Sequence, residues 1–209
     1  MGPVTDEGQA VELMRAYYDA RAGEYDDWWL GTGLYAELDR PGWAEEVELL
    51  TALVAALPPA LTLDVACGTG FLTQHLAGEV VGLDQSTEMV AIAAARLEHG
   101  RAICAEALPL PFRDGEFERV FTSHFYGHLL EAERAEFLEE AARVGRELVV
   151  VDSAMREGVE PEQWQERVLR DGSRHRVYKR YFDAGALAAE IGGGARVLHA
   201  GRWFVAVAR

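Results

Sequence analysis

The stretch that decides the fold is Leu63-Asp64-Val65-Ala66-Cys67-Gly68-Thr69-Gly70-Phe71-Leu72, an apolar strand that ends in a Gly-x-Gly turn. The turn leads into Gly70–Ala77, which is predicted to be a helix. Gly68 and Gly70 can adopt backbone conformations that other residues avoid, and they leave no Cβ between the chain and a ligand. The N-terminus of the predicted helix offers unpaired N–H groups to a ligand carboxylate. Glycine-rich strand–helix turns are common, so a purely structural turn stays open at this stage.

Short apolar runs alternate with helical patterns on both sides of this turn, which predicts an α/β fold with a doubly wound, mostly parallel sheet. The predicted parallel strands are Leu61–Ala66, Val80–Asp84, Ala102–Ala105, Arg119–Ser123 and Leu148–Asp152. The further predicted helices of this part are Ser86–His99, Glu131–Val144 and Ala184–Ile191. The closely linked runs Arg196–Ala200 and Trp203–Ala208 predict an antiparallel hairpin at one edge of the sheet.

The chain is predicted to form a single domain over residues 1–209, with a helical cap over residues 1–59 and the sheet core over residues 60–209. The cap is rich in aromatic residues, and its second amphipathic helix is predicted over Trp43–Leu57, after the break at Pro41-Gly42. A polar insert is expected around Glu157–Arg176.

Two acidic residues follow the second and third predicted strands. Asp84 closes the second strand, where a carboxylate can accept both hydroxyls of an adenosine ribose, and the alternative is that it caps the helix beginning at Ser86. Glu106 follows the third strand, where it can accept a hydrogen bond from an adenine amino group while the Ala107 N–H donates to the ring. A solvated loop charge is the alternative for Glu106.

In order and spacing these motifs resemble the class I S-adenosylmethionine (SAM)-dependent methyltransferases, and in particular their small-molecule subgroup similar to the ubiquinone/menaquinone-type enzymes. The segment Tyr18-Asp19-Ala20-Arg21-Ala22-Gly23-Glu24-Tyr25-Asp26 is similar to the stretch by which that subgroup closes a helix over the methyl donor. The resemblance implies a Rossmann-like, seven-stranded sheet with an N-terminal helical lid, SAM as cofactor and a small-molecule acceptor. The cofactor-binding residues that it implies are Tyr18, Tyr25, Asp64, Ala66, Gly68, Gly70, Asp84, Gln85, Glu106, Ala107 and Ser123.

The sequence departs from that family's pattern at two of these positions. Ala66 stands where the family most often has the first glycine of its turn, and Glu106 replaces a more frequent Asp. Neither change alters the chemistry that the resemblance implies.

Two other functions stay open. A nicotinamide-dependent oxidoreductase on the same topology requires a third glycine in its turn, where this chain has Thr73. A SAM-binding protein that transfers no methyl group would carry the same cofactor motifs.

The loop after the fourth strand holds His124 and His128, two imidazoles able to move a proton near neutral pH, and they are the candidate catalytic residues. The alternative is that either histidine only bonds a backbone carbonyl or packs under the loop. The ends of parallel strands line the ligand crevice of such folds, so this loop is expected to face the transferred methyl group.

The formal charge of −15 argues against a nucleic-acid substrate, because phosphates are neutralised by a basic surface. The basic cluster Arg174–Phe182 either contacts an anionic substrate or pairs with acidic residues at the surface. Cys67 and Cys104 have no His nearby and predict no metal site. No membrane span or signal peptide is predicted, so we expect a cytoplasmic protein, either a monomer or a homodimer.

Overall fold

The computed structural model describes residues 6–209, with side chains from residue 14 onward. The first five residues of the predicted cap therefore lie outside the described residues. Within residues 6–209, no helix combines the length and the apolar character needed to cross a bilayer.

A seven-stranded sheet forms the centre of the fold. Its strands are β1 (Thr62–Val65), β2 (Val80–Asp84), β3 (Gly100–Cys104), β4 (Phe117–Ser123), β5 (Gly145–Ser153), β8 (Arg196–Ala200) and β9 (Phe204–Ala208). They lie in the order β3-β2-β1-β4-β5-β9-β8, in which β1 to β5 are mutually parallel and β9 and β8 are added antiparallel at one edge. The predicted fold class is confirmed, including the antiparallel C-terminal hairpin.

The strand order reverses between β1 and β4, which lie side by side although β2 and β3 intervene in the chain. Thr62 pairs with Arg119 at one end of this contact and Val65 with Thr122 at the other, where the Thr122 hydroxyl donates to the Val65 carbonyl over 2.8 Å. In doubly wound sheets the crevice at such a reversal is the usual ligand site.

The helices cover both faces of the sheet. They are α1 (Asp6–Arg21), α2 (Asp26–Leu30), α3 (Trp43–Ala55), α4 (Thr87–Arg96), α5 (Glu131–Val144) and α6 (Ala184–Ile191). Side chains of α5 and α6, such as Phe137 and Leu187, pack on one face, and side chains of α2 and α3, such as Trp29 and Leu50, pack on the other. Because both faces are covered, strands β1, β2 and β9 are buried along their whole length rather than at alternate residues.

The predicted helix Gly70–Ala77 is wrong: this segment contains only a single 3-10 turn, Thr73–His75. After that turn Leu76 is extended and Gly78 adopts a positive φ of 102°. An eight-residue helix would advance the chain only about 12 Å, at about 1.5 Å per residue. The short crossover instead uses extended backbone to return to the start of β2. The expected seat for a carboxylate at a helix N-terminus is therefore absent at this turn.

The predicted polar insert contains most of a second, two-stranded antiparallel sheet, which was not predicted from the sequence. Strands β6 (Glu162–Val168) and β7 (Arg174–Arg180) pair from Glu162↔Arg180 to Val168↔Arg174. Along β6 exposed residues alternate with partly buried ones, but the partly buried set is polar: Gln163, Gln165 and Arg167. A strand whose inner face is polar gives no hydrophobic alternation, which is why the sequence pattern did not indicate it.

Candidate active site

Within residues 6–209, two residues other than glycine have positive φ, and they lie at the ends of neighbouring strands. Ala66 follows β1 with φ 58°, and His124 follows β4 with φ 54°. Left-handed backbone is costly for residues with a Cβ and tends to occur where function requires it. Both residues lie at the reversal of strand order, so this edge of the sheet is the candidate site.

Asp64 provides a buried carboxylate with one unpartnered oxygen. The side chain is 1% exposed, and its Oδ2 accepts a hydrogen bond from the Thr73 hydroxyl over 2.6 Å. The Oδ1 atom has no hydrogen-bond partner among the described residues. Burial raises the pKa of Asp64 to about 8. Such a carboxylate gains most from a cationic partner, because the partner would offset the cost of burying its charge. Thr73, which replaces the third glycine of a dinucleotide turn, orients this carboxylate.

Asp84 fixes the glycine turn rather than capping α4. Its Oδ2 accepts from the Gly68 N–H over 2.9 Å and its Oδ1 from the Ser86 N–H over 2.9 Å, whereas the N-cap of α4 is Ser86, whose hydroxyl accepts from the Met89 N–H. Burial raises the pKa of Asp84 to about 6. Each carboxylate oxygen retains a lone pair, so the side chain can still accept from a ligand hydroxyl.

The two glycines of the turn differ in what they face. A Cβ added at Gly68 would lie 3.4 Å from the Tyr25 ring, whereas one added at Gly70 would lie 3.4 Å from the Ala93 backbone in α4. Both have positive φ, 55° and 76°. Gly70 therefore serves helix packing, and Gly68 is the glycine that faces the N-terminal segment across the site.

The remaining predicted cofactor residues lie farther out along the same edge. Glu106 is exposed and forms a 3.0 Å ion pair with Arg15 of α1. Ala107 packs against the core, the Gln85 carbonyl lies 3.4 Å from the Cys104 Sγ, and Ser123 is the last residue of β4. The structure thus brings Asp64, Gly68 and Asp84 together, and it places Glu106 in an ion pair at the rim.

Residues 14–27, which we call the lid segment, cover the turn through polar contacts. Asp19 accepts a 2.5 Å hydrogen bond from the Ser86 hydroxyl, and Asp26 accepts one from the Thr69 hydroxyl over 2.5 Å and pairs with Arg96 over 2.6 Å. Ser86 and Thr69 are next in sequence to predicted cofactor residues, and Arg96 lies beside Gly70.

A cavity of about 210 Å³ lies between the lid segment, the β4 loop and the β6–β7 hairpin. Tyr18, Tyr25, His124 and His128 all line it, so both predicted tyrosines and both predicted histidines share one space. His124 is enclosed by aromatic rings, with Trp28 at 4.8 Å between ring centroids and perpendicular to it.

The two histidines are neutral. Burial, reinforced by the positive charge of Lys179, holds the pKa of each well below its ordinary value. The Nδ1 of His128 lies 2.6 Å from the Tyr178 carbonyl, which can only accept, so Nδ1 carries the proton and Nε2 is the basic atom. The Nδ1 of His124 lies 3.3 Å from the Ser153 hydroxyl, and its buried Nε2 has no partner among the described residues.

Comparison with known proteins supports the assignment that this geometry suggests. The methyltransferase-domain family matches residues 63–148. The solved DhpI–SAM–HEP complex aligns with a TM-score of 0.75 at 25% identity, over 95% of this chain and 97% of that one. The DhpI–SAH complex aligns with a TM-score of 0.71 at 26% identity, over 95% of both chains. The chain is similar to the class I SAM-dependent methyltransferases in its methyltransferase-domain match and in its fold.

Two curated methyltransferases are similar to this chain over part of their length. The demethylmenaquinone methyltransferase of Thermotoga maritima is 34% identical over 99 residues, which are 44% of this chain and 42% of that protein. The Thermus thermophilus demethylmenaquinone methyltransferase is 38% identical over 106 residues, 45% of this chain and 47% of that protein. The chain thus spans less than half the length of either relative.

Sequence reasoning missed the charged groups of the cavity. Arg21, Arg167 and Lys179 line it, and Lys179 forms a 2.5 Å ion pair with the fully buried Asp152 at the end of β5. Arg21 stood inside the quoted lid motif, and Lys179 stood in the basic cluster 174–182 whose role was left open. Arg167 gave no signal, because the hairpin that positions it was not predicted.

Proposed function

We propose that the protein transfers a methyl group from SAM to a small-molecule acceptor held in the cavity. One observation carries the proposal: the Tyr25 ring lies against Gly68 of the cofactor turn and also lines the cavity that contains His124 and His128. The cofactor turn and the cavity therefore share a wall. A methyl group presented at the turn is adjacent to an acceptor in the cavity.

The polar groups at the turn fit SAM. The unpartnered Oδ1 of Asp64 can accept from the ammonium of the methionine end, and Asp84 can accept from ribose hydroxyls while it holds the Gly68 N–H. Glu106 and Ala107 are the residues proposed for adenine, and Glu106 exchanges its Arg15 partner for the ring in that arrangement. SAM, when bound, supplies an electrophilic methyl group on a sulfonium.

The chain's own residues position the acceptor, exclude water and accept a proton. The rings of Tyr18, Tyr25 and Trp28 form the apolar part of the wall. When the acceptor atom loses a proton on methylation, the Nε2 lone pair of His128 receives it in transit, since its Nδ1 is already committed to Tyr178 and its lowered pKa favours passing the proton on to solvent. Alignment of the two reacting groups contributes the most, about 7–11 kcal/mol in favourable systems. The cavity volume of about 210 Å³ is below the about 300–1,000 Å³ that is usual for drug-sized ligands, which favours a small acceptor.

Calorimetric titration with SAM, its demethylated product SAH and NAD tests the cofactor part of the proposal. We expect SAM and SAH to bind and NAD not to bind. Replacing Asp84 with Ala is expected to weaken SAM about 10- to 100-fold, the loss of a hydrogen bond to a charged group. Asp114→Ala is the matched control, because that carboxylate is 84% exposed and pairs with Arg143. Binding of NAD without SAM would overturn the proposal in favour of an oxidoreductase.

Incubation with candidate small molecules and SAM, followed by mass measurement, tests the transfer itself. The expected result is an acceptor that gains one methyl group while SAH accumulates. Tight SAM binding without methyl gain on any acceptor would support the alternative of a SAM-binding protein that transfers nothing. A cytoplasmic location, the choice between monomer and homodimer, and the division into a cap (1–59) and a core (60–209) remain predictions.

A further inference from the structure

The wall of the cavity is cationic, although the protein as a whole is strongly acidic. Arg21, Arg40, Arg156, Arg167 and Lys179 line the cavity, and no carboxylate is among its described lining residues. The formal charge of the chain is −15. The cationic lining therefore does not reflect a basic protein as a whole. The positive charge is concentrated at this cavity.

Arg21 is buried without a carboxylate partner among the side chains described from residue 14 onward. It is 8% exposed, and its two terminal nitrogens donate to neutral phenols, Tyr17 over 2.8 Å and Tyr35 over 3.3 Å. Its guanidinium also lies 4.8 Å from the centroid of the Tyr25 ring. Buried charges are normally paired, because desolvation is costly. A guanidinium held only by neutral groups at a cavity wall can still accept an anionic partner.

Arg167 carries an unpartnered donor. Its Nη2 donates to the Gln165 amide oxygen over 2.5 Å, and its Nε is buried with no hydrogen-bond partner among residues 14–209. Other cations of the same hairpin pair with carboxylates at the surface: Arg174 with Glu166, and Arg180 with Glu190. Of the two hairpin cations that face the cavity, Lys179 pairs with Asp152, and the Nε of Arg167 is left available.

We propose that the acceptor carries an oxyanion, either a carboxylate or a phosphate-type group, and that Arg21, Arg167 and Lys179 recognise it. This rests on the proposed function, since it names the acceptor class for the same cavity. Arginine presents a planar set of donors that matches such oxyanions. Lys179, whose charge is already shared with Asp152, adds a shorter-range contact. The two aromatic-stacked arginines, Arg40 on Trp43 and Arg156 on Trp203, flank this group along the wall.

The test separates the acceptor's oxyanion from the carboxylate of the cofactor itself. Inorganic phosphate and acetate are titrated calorimetrically into the protein saturated with SAH, and also into the free protein. We expect at least one of them to bind alongside SAH, and preference for phosphate or acetate indicates a tetrahedral or a planar group. Arg167→Met is expected to weaken that binding at least tenfold, while Arg167→Lys, which keeps the charge, loses less.

Arg174→Met is the matched control, because Arg174 lies on the same hairpin but is 64% exposed and pairs with Glu166. Unchanged SAH affinity in the Arg167 variants shows that they are folded. Three outcomes would each overturn the acceptor class and leave methyl transfer untouched. They are an equal loss of anion affinity in the Arg167 and Arg174 variants, displacement of SAH by phosphate, and SAH binding with no anion binding. Anion binding by the free protein without any SAM or SAH binding would support the anion site and overturn the proposed function.

Discussion

The aromatic N-terminal cap contains two regions that are alike in composition and different in how they are held. The lid segment, residues 14–27, is bound to the sheet edge through Asp19 and Asp26, which contact hydroxyls and one arginine. The following region is anchored by Trp29 and Trp43, which are 3% and 7% exposed. Trp29 stacks on Phe71 with ring centroids 4.8 Å apart and lies in the core cluster beneath the sheet.

The difference shows that aromatic content at helical spacing does not by itself identify a lid. The same pattern of residues supplies a mostly half-buried cover in one stretch and a buried apolar core in the next. What separates them is the partner: the lid segment meets strand-end loops through polar contacts and buries Tyr17 only against the small β6–β7 sheet, whereas Trp29 and Trp43 meet the apolar face of β4, β5 and β9. Elements held by few apolar contacts open more readily than core elements do.

The largest expected effect on stability comes from removing a core tryptophan, and it would sharpen this comparison. Trp29→Ala is expected to lower the free energy of unfolding by about 3–5 kcal/mol, because it leaves a cavity beneath the sheet. Tyr25→Ala in the lid segment is expected to cost only about 1 kcal/mol while weakening SAM binding. Chemical denaturation of both variants provides the measurement. Equal destabilisation by the two substitutions would mean that the lid segment is ordinary core.

A second prediction concerns pH and the buried carboxylate beneath the lid segment. Burial holds the pKa of Asp64 at about 8, so the free folded protein carries this group protonated below that pH, and pairing with an ammonium requires its ionisation. SAM affinity should therefore fall as the pH is lowered from about 8 towards about 6, by up to about tenfold per pH unit. The pH range that reports on Asp64 alone ends near pH 6, because Asp84, whose own pKa is about 6, also becomes protonated below that pH.

Asp64→Asn should bind SAM weakly with a flat pH profile over the same range, since no carboxylate remains to ionise. Titration calorimetry at several pH values gives both profiles. A wild-type profile as flat as that of the variant would contradict the pairing of Asp64 with the cofactor. The raised pKa also means that Asp64 makes the free protein less stable as the pH rises towards 8, and SAM should offset this loss.

The smallest expected effect tests the polar contacts of the lid segment. Asp26→Asn removes an ion pair whose side chains are about a quarter exposed, so its cost in global stability should stay below about 1 kcal/mol. Backbone amides of residues 14–27 should nevertheless exchange hydrogen several-fold faster, and those of α3 should not change. Hydrogen exchange with and without SAM is the measurement, and Asp114→Asn serves as the control. Faster exchange throughout the cap would contradict the division into two regions.

The sheet was largely predictable because its signals are local. The bounds of β2, α5, α6 and β8 agree with the predictions, since continuous apolar runs and helical periodicity report burial directly. The positions of Asp64, Gly68 and Asp84 at one edge followed from strand order.

The crossover after Gly70 and the β6–β7 hairpin were not predictable from such patterns. In the crossover the distance to β2 overrides helix propensity, and Thr73 uses its hydroxyl to hold Asp64. In the hairpin the inward residues Gln165 and Arg167 face a polar cavity, so the pattern that normally marks a strand is absent. The partner of Lys179, Asp152, depends on a long-range contact that the sequence does not encode locally, whereas Arg21 bonds Tyr17 only four residues away.

The opposite charges of the cavity wall and the whole chain have a consequence for how fast an anionic acceptor arrives. From solution such a molecule first meets the field of a chain with a formal charge of −15, and it experiences Arg21 and Arg167 only once it is inside. The outer repulsion is screened beyond about 8 Å at physiological ionic strength, whereas the inner attraction is shielded from mobile ions. Added salt should thus speed the entry of the acceptor, the reverse of ordinary electrostatic steering, in which salt slows association.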